Sequence, residues 1–125
     1  MATKAVLKLT QVHGVVKVRG TGSATIALAT DLKKASETQS SPKANIRTLH
    51  WALSVGTTAT VTRDSEILYY LSGSGKMEFM GWSDNEENGS DVVVDFSSGT
   101  GSVVLELAKV SGYGSQQHQD QGDLG

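Results

Sequence analysis

The side chains best suited to metal or thiol chemistry are few and widely spaced. The chain has three histidines, His13, His50 and His118, and no two of them stand at the short spacing with which one strand or helix presents two ligands to a metal ion. It has no cysteine, which excludes a disulfide framework, thiol catalysis and cysteine-bound zinc. From these residue types we expect neither a metal ion nor another cofactor.

Carboxylate and amide oxygens are concentrated in one segment, residues 84–91. Calcium prefers several oxygens of this kind, but the spacing does not follow the Asp-x-Asp-x-Asp-Gly pattern of a calcium-binding loop. Asn-Gly within the segment is also an ordinary turn sequence. Two interpretations stay open, a calcium site and a solvated loop or partner contact, and the spacing favours the second.

The motifs of hydrolases and nucleotide-binding proteins do not fit the chain. Gly73-Ser74-Gly75 lies between two predicted strands, whereas a nucleophilic serine needs a strand-to-helix turn. Gly20-Thr21-Gly22 has neither the following helix nor the lysine of a phosphate-binding loop. We therefore predict that the protein is not an enzyme.

Composition indicates one small domain built from strands and turns. The length of 125 residues suits a single domain. Hydrophobic residues (38%) and charged residues (19%) are both below their usual shares, and Gly, Ser and Thr take their place. A net charge of −2 and the lack of a basic, aromatic-rich run argue against nucleic-acid binding. The first nine residues lack the apolar segment of a signal peptide, and no apolar run approaches a membrane span, so we expect a protein made in a cytoplasm without a membrane partner.

Apolar residues alternate with polar ones along most of the chain, which predicts β-strands. The inward-facing sets are clearest in the last two strands: Val92, Val94 and Phe96, and then Val103, Leu105 and Leu107. Arg63-Asp64-Ser65 predicts the turn of a hairpin. Turns are also expected at 20–22, 72–75 and 97–101, and an exposed loop at 31–43 with an optional helical turn at 32–35. The pattern predicts an all-β fold, an antiparallel β-sandwich or barrel of about eight to nine short strands with an extended C-terminal tail.

The domain is predicted to span residues 1–113, followed by a polar tail at 114–125 that is too poor in apolar residues to form a core. Binding residues are expected where large or polar side chains face outward. Tyr69 and Tyr70 must point to opposite faces of their strand, and Trp82 either anchors a partner or packs under its own loop. Trp51 is expected in the core. The residues predicted to bind a partner are Trp82, Tyr70, His50, Tyr113, Gln116 and Gln117.

Three segments carry a resemblance to a known group of proteins. They are Lys8-Leu9-Thr10-x-Val12-His13-Gly14 with the alternating strand that follows at 24–30, Thr60-Val61-Thr62-Arg63 leading into 67–71, and Leu105-Glu106-Leu107-x-Lys109-Val110-x-Gly112-Tyr113. Over residues 4–113 the chain resembles small virion structural proteins of tailed bacteriophages, notably those that infect marine cyanobacteria. The resemblance implies an all-β virion protein without enzymatic activity.

Taken with the resemblance, the sequence favours a capsid decoration (cement) protein on the outer surface of a phage head. Its expected partners are the major capsid protein and neighbouring copies of itself, as a homo-oligomer on the particle. It would be made in the host cytoplasm. Two alternatives stay open: a neck or tail adaptor or fibre-associated virion protein, and a carbohydrate-binding β-sandwich module that uses Trp82, Tyr70 and the acidic loop.

Overall fold

The computed structural model describes residues 2–10, 12–33, 42–78, 84 and 86–111. Within these ranges every strand pairing is antiparallel, which confirms the predicted all-β antiparallel fold. The described chain forms seven strands and one short helix: β1 (Thr3–Leu9), β2 (His13–Ile26), α1 (Leu28–Asp31), β3 (Lys43–Leu53), β4 (Thr58–Arg63), β5 (Glu66–Ser72), β6 (Ser74–Glu78) and β7 (Val92–Ser111).

Two long strands, β2 and β7, run side by side and organise the sheet. Residues 13–20 of β2 pair with 101–108 of β7, and residues 22–26 pair with 92–96. The opposite edge of β7 pairs first with β4 and then with β3. The sheet therefore has a five-stranded half, in the order β1-β2-β7-β3-β6, and a four-stranded half, in the order β2-β7-β4-β5.

One core joins the two halves. The residues predicted to face inward from β7 are all buried, which confirms the alternation. Buried side chains of the four-stranded half, such as Ile26 and Val61, belong to the same cluster as Val16 and Leu49 of the five-stranded half. A single apolar layer between two sheet faces is the packing of a β-sandwich. Trp51 is half-buried and packs against this cluster.

Two predicted turns are wrong, because the strands continue through them. β2 passes through 20–22 with an irregular register, and Gly20 and Gly22 have φ of 119° and 82°. β7 likewise passes through 97–101, where Ser98 has φ of 67°. Residues with positive φ bend and twist a strand as a bulge without ending it. This is why the described residues form seven strands, two of them long, where the sequence predicts eight to nine short ones.

The hairpin predicted at 63–65 is confirmed. Asp64 and Ser65, with φ of 50° and 63°, form its two-residue turn, and positive φ at both positions is the geometry that matches the twist of paired strands. In contrast, helix α1 lies earlier than the optional helical turn at 32–35. Leu32, just after α1, is fully buried, so the start of the predicted exposed loop contributes to the core. Residues 34–41 and the predicted tail lie outside the described residues.

Candidate functional site

Of the residues predicted to bind a partner, the structure describes Tyr70 and His50. Tyr70 faces solvent from β5 with 78% of its surface exposed, whereas Tyr69 is half-buried against the core, which confirms that the two point to opposite faces. His50 is exposed on β3. Tyr70 and His50 lie on different halves of the sheet, so the structure does not bring them together. The other four predictions fall outside the described residues: Trp82, Tyr113, Gln116 and Gln117.

Strand β1 forms one edge of the five-stranded half and is exposed along almost its whole length. It pairs with β2 on one side, and no described residue pairs with its other edge. Val6 and Leu7 are 41% and 54% exposed, and the register shifts between Val6 and Lys8, which makes Leu7 the extra residue of a bulge. A strand edge with free backbone groups and exposed apolar side chains is a template for pairing with another chain.

The inner side of β1 is nevertheless fixed to the body of the domain. Ala2, just before the strand, is buried in the core cluster. The Lys4 ammonium group donates to the Thr25 carbonyl oxygen at 2.7 Å and to Asp31 Oδ2 at 2.6 Å. Asp31 Oδ2 also accepts a hydrogen bond from the Ala27 backbone N–H at 2.8 Å, so the ion pair ties β1 to helix α1. The strand is therefore held in place while its outer edge stays open.

The outer face of the five-stranded half is predominantly basic. The register aligns Lys76, His50, Val104 and Lys17 in one row across four strands. Arg47 donates to the His13 ring nitrogen Nε2 at 2.9 Å, because a guanidinium group can only donate. The basic side chains outnumber the acidic ones on this face, although the whole chain carries a net charge of −2. The register and this contact assign Lys8, Lys17, Arg19, Arg47 and Lys76 to the face, with Glu78 and Glu106.

The outer face of the four-stranded half is rich in hydroxyl groups. Here the register aligns Tyr70, Thr60, Asp95 and Ser23 in one row across β5, β4, β7 and β2. A groove of about 480 Å³ lies over Thr60, Asp95 and Ser23, and a smaller one of about 280 Å³ extends from Thr60 to Tyr70. The two grooves meet at Thr60.

The described part of the acidic segment is attached to the sheet by Arg63, whose side chain is fully buried at the end of β4. Its guanidinium group donates to the carbonyl oxygens of Ala44 at 2.7 Å, Ser90 at 2.7 and 3.0 Å, and Asn88 at 3.1 Å. Asp84 continues the attachment through a two-way backbone pairing with Ile46. These contacts give Asp84 and residues 86–90 a structural role at the start of β3.

Two carboxylates of this segment serve internal contacts, Asp91 with the Leu28 backbone N–H at 2.9 Å and Asp84 with Tyr69. The Tyr69 hydroxyl donates to Asp84 Oδ2, and burial together with this carboxylate raises the pKa of Tyr69 well above its usual value. Repulsion from Asp64, reinforced by Glu66, raises the pKa of Glu87. Among the residues that the structure describes, no group of three or more carboxylate or imidazole side chains is arranged to hold a metal ion.

Comparison with known proteins identifies no family. No protein-family model matches the sequence, and no curated protein is significantly similar to it. Among solved structures, a cupin superfamily protein from Desulfitobacterium hafniense is similar over 89% of this chain and 79% of its own, with 8% identity and a TM-score of 0.41. A likeness at this level carries no inference about function. In the described part of the chain, no helix is long and apolar enough to cross a membrane.

Proposed function

We propose that the protein is a non-enzymatic assembly protein whose copies associate through strand β1, and that its role is to decorate the outer surface of a bacteriophage head. The proposed association of copies is supported by the open edge of β1, where Val6 and Leu7 are exposed. The phage setting rests on the sequence resemblance.

A second copy of the chain is the occupant that best suits this edge. Two β1 strands related by a two-fold axis pair in antiparallel register, so each strand supplies the same backbone groups and apolar side chains to the other. Pairing would extend the five-stranded half into a continuous sheet across two copies. Since each copy contributes one short strand with few apolar side chains, the contact is weak by itself.

Weak self-association is sufficient for a protein that is arrayed on a particle. When many copies are anchored side by side on a particle, pairing of two neighbours through β1 becomes intramolecular in effect, and each pair is held more tightly than a single copy. The basic outer face of the five-stranded half is suited to an acidic surface beneath the copies, because complementary charge steers and orients docking. The major capsid protein is the partner we propose for that surface.

The association through β1 is tested by sedimentation equilibrium of the wild type and of Leu7→Lys. We expect a concentration-dependent dimer for the wild type and a monomer for Leu7→Lys, because the substitution replaces the most exposed apolar side chain of β1 with a charge. Val55→Lys is the matched control, since Val55 is fully exposed in the turn between β3 and β4. A wild type that stays monomeric at high concentration, or a Leu7→Lys variant that dimerises equally well, would contradict the proposal.

The location on the particle is tested by quantitative mass spectrometry of purified virions. A decoration protein is present in a number comparable to that of the major capsid protein, whereas a neck, tail or fibre protein is present in far fewer copies. Absence of the protein from purified particles would rule out a virion role. The association of copies through β1 is tested independently, by the sedimentation experiment.

A further inference from the structure

We propose that the outer face of the four-stranded half binds a neutral saccharide in the groove between Tyr70 and Asp95. The site lies away from β1 and does not depend on the assembly proposed above.

The register determines the dimensions of the site. Tyr70 and Asp95 are both cross-strand neighbours of Thr60, on β5 and β7 respectively. Neighbouring strands lie about 4.8 Å apart, so the backbone positions of Tyr70 and Asp95 are separated by about 10 Å. The two grooves that meet at Thr60 fill this interval. The span suits one or two sugar rings lying across the strands.

The side chains offer the two kinds of contact that a sugar needs. A pyranose ring has an apolar face of C–H groups and a rim of hydroxyl groups. The exposed aromatic ring of Tyr70 provides a rigid, apolar contact surface for the first. The Asp95 carboxylate accepts hydrogen bonds from hydroxyl groups, and Thr60, Thr62 and Ser23 both donate and accept.

These polar groups are free to bind a ligand. Within the described ranges, none of the side chains of Tyr70, Thr60, Thr62, Asp95 and Ser23 has a hydrogen-bond or ion-pair partner. By contrast, Thr58, one step along the same face, is already paired with Ser97 at 2.7 Å. The open hydroxyl and carboxylate groups are thus grouped over the groove.

The charge of the groove selects among ligand classes. Asp95 is the one charged side chain among the described residues that line the two grooves, so phosphate, sulfate and carboxylate ligands are repelled. A cation would need further carboxylates, and no metal-binding group occurs in the described residues. A neutral polyhydroxylated ligand forms hydrogen bonds with the hydroxyl groups and with the Asp95 carboxylate, and it brings no negative charge close to that carboxylate.

The test is a glycan array probed with labelled wild type, Tyr70→Ala, Asp95→Asn and the double variant. Dense display on the array makes weak single-site binding detectable. We expect the wild type to bind a subset of neutral glycans and each single variant to bind them at least about tenfold more weakly, because an aromatic contact or a charged hydrogen bond contributes on that scale. Tyr70→Phe, which keeps the ring, retains most of the binding.

Val55→Ser is the control for removal of an exposed apolar side chain elsewhere, and circular dichroism checks that each variant is folded. Leu7→Lys is expected to keep glycan binding, which separates failure of this proposal from failure of the assembly through β1. Binding of no neutral glycan above the level of the double variant overturns the proposal. Binding confined to sulfated or sialylated glycans also overturns it, since that result assigns the site to the basic face of the five-stranded half.

Discussion

Replacement of the buried Arg63 is the sharpest test of how the acidic segment is held. In Arg63→Met, an unbranched apolar side chain takes the path of the arginine stem but donates no hydrogen bond. The carbonyl oxygens of Ala44 and Ser90 lose their guanidinium donors, while the Asn88 oxygen keeps the Ala44 backbone N–H at 3.0 Å. We expect both a less stable fold and a loosened attachment of residues 86–90.

The size of the effect follows from the four contacts. A hydrogen bond from a charged donor contributes about 1.5–3 kcal/mol, and the bond to Ala44 is buried, so it is assigned the middle of that range. Ser90 and Asn88 are half-buried, so water replaces part of what their oxygens lose. Removal of the charge also relieves the desolvation of the guanidinium group. The free energy of unfolding is therefore expected to fall by about 3 kcal/mol.

Urea unfolding followed by circular dichroism measures this change, with an unchanged m-value as evidence that the same surface unfolds. Arg19→Met is the matched control, because Arg19 is exposed on β2, and it should change stability by less than about 0.5 kcal/mol. Arg63→Lys keeps the charge but not the planar fork, so it should recover only part of the loss. Hydrogen exchange at 86–90 should accelerate in Arg63→Met. A loss below about 1 kcal/mol with unchanged exchange would refute the reasoning.

Two further predictions concern Tyr69, which is half-buried against the core, and Gly99 in the irregular part of β7. Because the raised pKa of Tyr69 favours its neutral form in the fold, its contribution is fully present below about pH 10, the ordinary tyrosine value, and is lost as the pH rises above it; unfolding titrations should show a shallower alkaline loss of stability in Tyr69→Phe than in the wild type, and equal slopes would contradict the prediction. A methyl group on Gly99 would clash with Thr57 Oγ1, so Gly99→Ala should lower the midpoint of thermal unfolding by several degrees. Gly89→Ala, where a methyl group meets nothing within 4 Å, should leave the midpoint unchanged, and equal midpoints for the two variants would show that β7 can shift at Gly99.

Alternation was sufficient to predict which side chains face the core, because a period of two is a local property of an extended chain. It correctly assigned the buried faces of β7 and the opposite orientations of Tyr69 and Tyr70. It was insufficient at Gly20–Gly22 and at 97–101, since a short Gly- and Ser-rich segment can either end a strand or bend one that continues. The distinction depends on the neighbouring strand, such as the close approach of Leu53 to Gly101.

The candidate sites show the same limit. Arg63 follows Ala59 and Val61 at the inward positions of β4, so alternation itself directs the arginine into the core, but the composition of the segment suggests only a turn. Its partners among the described residues are carbonyl oxygens, which exist at every residue and leave no pattern in a sequence. The groove was equally hidden, because Asp95 and Tyr70 are neighbours of Thr60 only through the register of three strands.

The continuity of β2 and β7 determines how the two proposed surfaces relate to each other. β1 pairs with the first part of β2, and the saccharide groove lies over its second part, beyond the irregularity at Gly20–Gly22. The register along β2 places the open edge and the groove on different halves of the sandwich, so neither covers the other. A dimer joined through β1 would therefore leave both grooves open, and many such dimers anchored on one particle would bind a glycan-bearing surface with the avidity that one copy lacks.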